Sequence, residues 1–170
     1  APFIEALKCE NVKNSYRLIL YGNTISNEKW NQLGLSEIAE YRGWLDYSKD
    51  VSTLKDIDVF LQLLDDNNVS KAGWPNKLGD YLAFGKPVIL SPYGDIIDFV
   101  KNEKGFFIVE YNKYSILKIL QEIKDIPYSD LKTMGYANRQ LAEKISWKNR
   151  AKNIEYICNK IRFNNETVKN

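Results

Sequence analysis

The residues best placed to do chemistry fall in one stretch, 71–91, which reads KAGWPNKLGDYLAFGKPVILS. Gly73, Trp74 and Pro75 make a stiff loop, and Pro75 stands where a helix accepts proline in its first turn. A short amphipathic helix over 76–84 follows, and Gly85 is placed to stop it as a left-handed cap. Lys86-Pro87 returns the chain to extended geometry, and Val88-Ile89-Leu90 is an apolar run of buried-strand type. A helix N-terminus presents N–H groups without intrahelical acceptors and the positive end of the helix dipole, an arrangement suited to a phosphate. The same stretch also suits an ordinary crossover helix that binds nothing, and taken alone it leaves both readings open.

The rest of the composition narrows the chemistry. At 170 residues, with 44% hydrophobic and 27% charged side chains, the chain has the makings of one globular domain with a sizeable core. A formal net charge of +2 gives no reason to expect a nucleic-acid partner. There is no histidine, so a Ser-His-Asp triad, a His-ligated metal and a His general base are all excluded within this chain. Cys9 and Cys158 match neither zinc nor redox spacing and point to a reducing compartment. No metal site and no cofactor is expected. No apolar run reaches the length of a membrane span, and no signal peptide is visible. The opening residues, APFIEAL, read as helix interior without a starting Met, so a fragment of a longer protein is expected.

The elements that must position the 71–91 stretch alternate. Helical spacing covers 2–12, and YRLILY at 16–21 reads as a strand. Ser26 can cap a helix ending at Gly34, 37–44 reads as a short strand and turn, and Asp50 can cap a short helix over 51–55. DVFLQLL at 58–64 is a buried strand, and DDNNVS at 65–70 a polar loop. Beyond Ser91, a turn at 92–94 leads to a helix from Asp95 to Val100, and 105–109 is the last strand. Asn112 can cap a helix whose Ile116, Ile119, Leu120 and Ile123 form one stripe. Two more helices, 129–144 and 146–163, carry stripes at the same spacing (Leu131, Met134 and Leu141, then Trp147, Ala151, Ile154, Cys158 and Ile161), expected to pack in the core. The expectation is an α/β domain over 1–163, a Rossmann-like doubly wound sheet of five parallel strands with extra C-terminal helices, and a frayed polar tail over 164–170. Ligands of such sheets sit at the C-terminal strand ends.

From Asp56 to Val109 the order DIDVFLQLL, loop, PNKLGDYLAFGKPVILSPYGDIIDFV, GFFIV resembles the C-terminal, nucleotide-sugar-binding domain of GT-B glycosyltransferases, in particular the large retaining family-four group. Gly85-Lys86-Pro87-Val88 matches that family's GxPV-type turn, and Gly94 with Asp98 resembles its later glycine turn. Upstream, RLILYGN resembles the second strand and EYRGWLDY the segment near the base, while Ser146-Trp147 resembles the entry to the C-terminal helix. The resemblance implies that Asp80 accepts hydrogen bonds from the nucleotide ribose. It implies further that the N–H groups of Asn76, Lys77 and Leu78, after Trp74 and Pro75, cradle the diphosphate with help from the Lys77 side chain. Arg42, Gly43 and Trp44 match the base-proximal segment, although for Trp44 alone a packed core aromatic is the stronger expectation. Three features depart from the family. Ala72 stands at the first of the two acidic positions, leaving sugar contact to Lys71, Ala72 and Gly73 by other means. Asp replaces the usual Glu at position 80, and the domain's first, normally central strand is not found.

The resemblance thus implies the donor-binding domain of a glycosyltransferase. A nucleoside diphosphate sugar is its substrate, and an acceptor-binding N-terminal domain its missing partner. A cytoplasmic setting is implied, with peripheral contact at the inner membrane face, in bacterial surface polysaccharide synthesis. This domain alone is expected to be inactive. The alternative is a non-catalytic GT-B-like nucleotide-binding or assembly module. A receiver domain ranks below both because Glu110, not lysine, ends the last strand, and an epimerase because no histidine or acid–base pair is present.

Overall fold

The computed structural model describes residues 1–46, 49 and 51–167, with side chains as far as Arg162. The expected cap at Asp50, the end of the base-proximal segment at Tyr47 and the tail beyond 167 lie outside the described residues. The elements run α1 (Pro2–Leu7), β1 (Leu18–Leu20), α2 (Asn27–Gln32), β2 (Ala39–Tyr41), a 3-10 helix (Val51–Asp56), β3 (Phe60–Gln62), α3 (Asn68–Ala72), α4 (Asn76–Ala83), β4 (Val88–Leu90), α5 (Ile96–Val100), β5 (Phe106–Ile108), α6 (Lys113–Lys124), α7 (Tyr128–Lys144) and α8 (Trp147–Thr167).

All strand pairing is parallel, as alternation of strands and helices requires. The strands do not form one five-stranded sheet, however. β1 pairs with β2 in one sheet, and β3, β4 and β5 form another in that order. A cavity of about 690 Å³, lined from both sides by β1 and β3, lies where the expected single sheet would be continuous. Among the described residues these two strands share no ladder.

β4 is the buried strand the sequence predicts, with all three of its residues buried. Val88 and Leu90 face a core built with Leu78, Leu82, Ile96, Val100 and Leu141. Ile89 faces a second core with Ala6, Leu7, Val12, Ile116, Leu120 and Ile123. The period of two in a strand puts neighbours on opposite faces, which is why an unbroken apolar run is needed. Leu78 and Leu82, both fully buried, anchor α4, and each such side chain contributes about 1.5–3 kcal/mol on burial.

Three helices differ from expectation. α1 ends at Leu7 because the chain tightens into three-residue turns (Cys9 N–H to the Ala6 carbonyl, 3.1 Å; Val12 N–H to that of Cys9, 3.0 Å), yet Val12 is still buried. The expected polar loop at 65–70 contains most of α3, whose first turn is capped by Asn67 Oδ1 accepting from the Ser70 N–H at 2.8 Å. The stripe of α8 does not pack. Every residue from 151 to 162 is exposed, Ile154 at 62% and Ile161 at 56%, because both faces of the sheet are already covered by the two cores. The caps at Ser26, Asn112 and Gly85 are as predicted.

One fastening has no counterpart in the sequence reading. Asn138 of α7 is fully buried and donates to the carbonyls of Lys86 (2.8 Å) and Gly105 (2.9 Å), bridging the entries to β4 and β5. Gly135, one turn earlier, lies so close to Gly85 that a Cβ would collide with the Gly85 carbonyl. Gly135→Ala is therefore expected to destabilise the domain by about 1–3 kcal/mol, since the obstructing atom is backbone. Gly79→Ala, with open space around its Cβ inside α4, should instead stabilise by up to about 1 kcal/mol. Urea unfolding midpoints of the two variants, moving in opposite directions, check both.

Candidate functional site

The C-terminal ends of β3, β4 and β5 define one edge of the larger sheet, and the segments leaving them are held by short polar contacts. Ser91, just past β4 and buried, accepts the Leu64 N–H on its Oγ at 2.9 Å, fixing the exit of β3 against that of β4. α3 then carries the chain to the N-terminus of α4. Gly94, at φ +77°, packs on the C-terminal end of α3, where a Cβ would lie 2.8 Å from the Lys71 carbonyl oxygen. The turn at 92–94 therefore needs glycine both for its left-handed backbone and for its close approach.

The candidate residues fall into separate groups. Lys71, in the last turn of α3, pairs with Asp66 at 2.5 Å, and that contact holds its ammonium above the ordinary lysine range. Beside it, Tyr93 donates to Glu110 at 3.3 Å. Burial first, and then the Glu110 charge, push its hydroxyl pKa upward. Ala72 and Gly73 are exposed. Trp74 rests its edge on Phe99 of α5, with ring centroids 5.2 Å apart at 69°, and stays 41% exposed. It ties the loop to the neighbouring helix.

At the start of α4, Pro75 is the capping residue rather than the first helical one, and its carbonyl accepts the Leu78 N–H at 3.0 Å. Leu78 is fully buried, so its side chain belongs to the core, and its N–H is engaged by that bond. Asn76 and Lys77 remain as the first-turn N–H groups, both with exposed side chains, and Asp80 is exposed one turn on. Lys77 also lines the cavity between the sheets, as do Gly22 and Trp44. The structure thus brings Lys77 and Trp44 to one opening and leaves Lys71 in a different cluster.

Arg42 is not free to sweep toward a ligand. Its Nε donates to Glu40 at 2.7 Å and an Nη to the Tyr21 hydroxyl at 3.3 Å, and Tyr21 donates to Thr53 at 3.0 Å. The bond to Arg42 draws the Glu40 carboxyl below its usual range, and Glu40 in turn raises the already high pKa of the guanidinium. Gly43, at φ +75°, accepts the Gly22 N–H at 2.9 Å and so closes the ends of β1 and β2. Trp44, expected in the core, is 71% exposed. It follows the left-handed Gly43 turn off the sheet, and nothing in either core reaches it.

Glu40, Tyr21 and Phe99 hold the candidate residues in place, and none was singled out by sequence. Glu40 and Arg42 stand two apart around the end of a strand, a spacing that puts both on one face and is the one signal that would have found the pair. Because Glu40 is depressed, the stabilisation it gives is present above about pH 4.3, the unfolded value, and is lost as pH falls through the lower folded value. The Arg42 Nε–Hε resonance should accordingly shift on acidification to below pH 4. In Glu40→Gln it should sit at the released position at every pH.

Residues 2–141 match the family described as Glycosyl transferases group 1, and the chain belongs to that family. Among solved structures it is similar to the sucrose-phosphate synthase tll1590 of Thermosynechococcus elongatus (TM-score 0.67, 16% identity, 94% of this chain and 42% of the synthase). It is similar also to Alr3699/HepE of Anabaena solved with UDP and glucose (TM-score 0.63, 15% identity, 84% of this chain and 39% of HepE). The chain thus spans about two fifths of either protein. No curated protein sequence matches it. Its α/β, Rossmann-like architecture is that of the C-terminal domain of a GT-B glycosyltransferase.

Proposed function

We propose that this chain is the donor-binding half of a glycosyltransferase that takes a sugar from a nucleoside diphosphate sugar and gives it to a glycan or lipid-linked acceptor. One observation carries the reading: in a chain of this family, the N-terminus of α4 opens on the ligand edge of the parallel sheet with Asn76 and Lys77 accessible. Anabaena HepE, of similar fold, has been solved with UDP and with UDP-glucose, which makes UDP the first nucleotide to try. In this reading the N–H groups of Asn76 and Lys77 and the Lys77 ammonium meet the diphosphate. Asp80 accepts from the ribose hydroxyls, and the base lies by Arg42, Gly43 and the exposed face of Trp44.

The chemistry asked of such a half-site is modest. The anomeric C–O bond breaks, the nucleoside diphosphate leaves with the electron pair, and the acceptor oxygen bonds to the anomeric carbon and gives up its proton. N–H groups and an ammonium at the diphosphate stabilise the charge that grows on the leaving group, and the rest is positioning. The acceptor comes from a second domain closing over the donor. We place the reaction in the cytoplasm, in bacterial surface polysaccharide synthesis. The cationic residues of α8 (Lys148, Lys152, Lys160 and Arg162) are available to an anionic membrane surface. Among the described residues no helix is long and apolar enough to cross a membrane.

Ala72 favours a second reading. At the position where the family holds the sugar, an exposed methyl group forms no hydrogen bond, which suits a module that binds nucleotide without transferring sugar. Isothermal titration of the natural full-length protein with UDP, GDP and ADP tests the shared part: at least one should bind, and Asp80→Ala should weaken it about tenfold or more, the cost of a charge-assisted hydrogen bond. A folded sample that binds none of the three overturns both readings. If nucleotide binds, turnover of a labelled sugar donor separates enzyme from module.

A further inference from the structure

A nucleoside diphosphate sugar seated as above leaves little choice of place for its sugar. The base lies by Arg42 to Trp44, the ribose by Asp80, and the diphosphate on the Asn76 and Lys77 N–H groups. The sugar is bonded to the outer phosphate, so it lies within one ester linkage of the α4 N-terminus, on the side away from the base. The chain that leads into α4 on that side is α3 and the 73–75 loop. Gly94 packs on the C-terminal end of α3, with a Cβ position 2.8 Å from the Lys71 carbonyl oxygen and 3.1 Å from that of Ser70. This contact holds α3 over the exit of β4, on the ligand edge.

The outward face of α3 is poorly suited to a row of hydroxyls. Val69 is 83% exposed, and Ala72 is exposed three residues on, a spacing that puts both on one face of the helix. Asn68, also exposed and four residues before Ala72, borders that face and brings one amide to it. Trp74, partly exposed, follows on the way to α4. The charged groups nearby are engaged elsewhere. Asp66 takes the Lys71 ammonium at 2.5 Å, and Glu110 takes the Tyr93 hydroxyl at 3.3 Å. What remains beside the start of α4 is two aliphatic side chains and an amide.

We propose, on the donor-binding reading, that this face receives an N-acyl substituent, so that the donor is the nucleoside diphosphate of an acetamido sugar. An acetamido group is one amide carrying one methyl. The Asn68 side chain can donate to its carbonyl or accept from its N–H, and Val69 and Ala72 take the methyl out of water. A hydroxyl in the same place loses water on approaching Val69 and gains no partner from Ala72. The discrimination to expect is that of one small apolar group against a partly open surface, about tenfold.

Isothermal titration of the natural full-length protein with matched donors tests this, built on whichever nucleoside diphosphate binds. The pairs are glucose with N-acetylglucosamine and galactose with N-acetylgalactosamine, with the 6-deoxyglucose donor as a third arm and the free nucleotide as control. In at least one pair the acetamido donor should bind about tenfold or more tightly than its hydroxyl counterpart. Val69→Ser should bring that ratio to within about twofold, and Asn68→Ala should lower it severalfold, both at exposed positions where the fold tolerates the change. If the free nucleotide binds but neither pair shows a preference, the acetamido assignment is overturned and the donor-binding reading stands. A preference that survives Val69→Ser overturns the assignment in the same way. Equal tightening by the 6-deoxy donor does so too, since it gives the face to a methyl group alone. A folded protein that binds neither nucleotide nor donor overturns both.

Discussion

The ladder that β4 makes with β3 on one side and β5 on the other is the constraint everything else answers to. Val88, Ile89 and Leu90 are buried on both faces, so their backbone groups have no access to water and must be paired within the sheet. That requirement sets β3 and β5 alongside, and the alternation of the three side chains divides the interior into two cores. Helices α1 and α6 close one core, and α4, α5 and α7 the other. Where α4 stands, and so where its N-terminus points, follows from Leu78 and Leu82 being drawn into the second core.

The entry and exit of this ladder are treated differently. At the entry, Asn138 gathers the Lys86 and Gly105 carbonyls and Gly135 packs bare backbone against Gly85. At the exit, the contacts are an ion pair and a hydroxyl on exposed segments, Lys71 with Asp66 and Tyr93 with Glu110, and the separate β1-β2 sheet has a similar pair in Arg42 with Glu40. Exposed pairs of this kind add little to stability, because solvent screens them and ordering two long side chains costs entropy. Their effect is to fix the orientation of these side chains at the strand ends.

Much of the fold was legible because it rests on local chemistry. Ser26 and Asn112 cap helices, Gly34 and Gly85 adopt the left-handed backbone their positions suggest, and the α6 stripe packs as spaced. The α8 stripe has equally good spacing and lies exposed, since periodicity states which residues share a face but not whether a second surface exists to cover it. Trp44 left the place expected of it for a related reason. Burial is decided by what arrives from elsewhere in the chain, and a left-handed turn at Gly43 sends it outward.

From the sequence alone came the order of the strands and of the helices other than α3, the parallel sense of the strands, the loop–helix–strand unit at 71–91 and the absence of any histidine-based chemistry. Each is a matter of neighbouring residues or of composition. Tertiary structure alone decided that the strands divide into two sheets with a groove between them and that Lys77 and Trp44 share its opening while Lys71 does not. It also decided that Arg42 is held by Glu40 and Tyr21. Those are facts about pairs of residues far apart in the chain, and backbone pairing and burial bring them together only once the whole has folded.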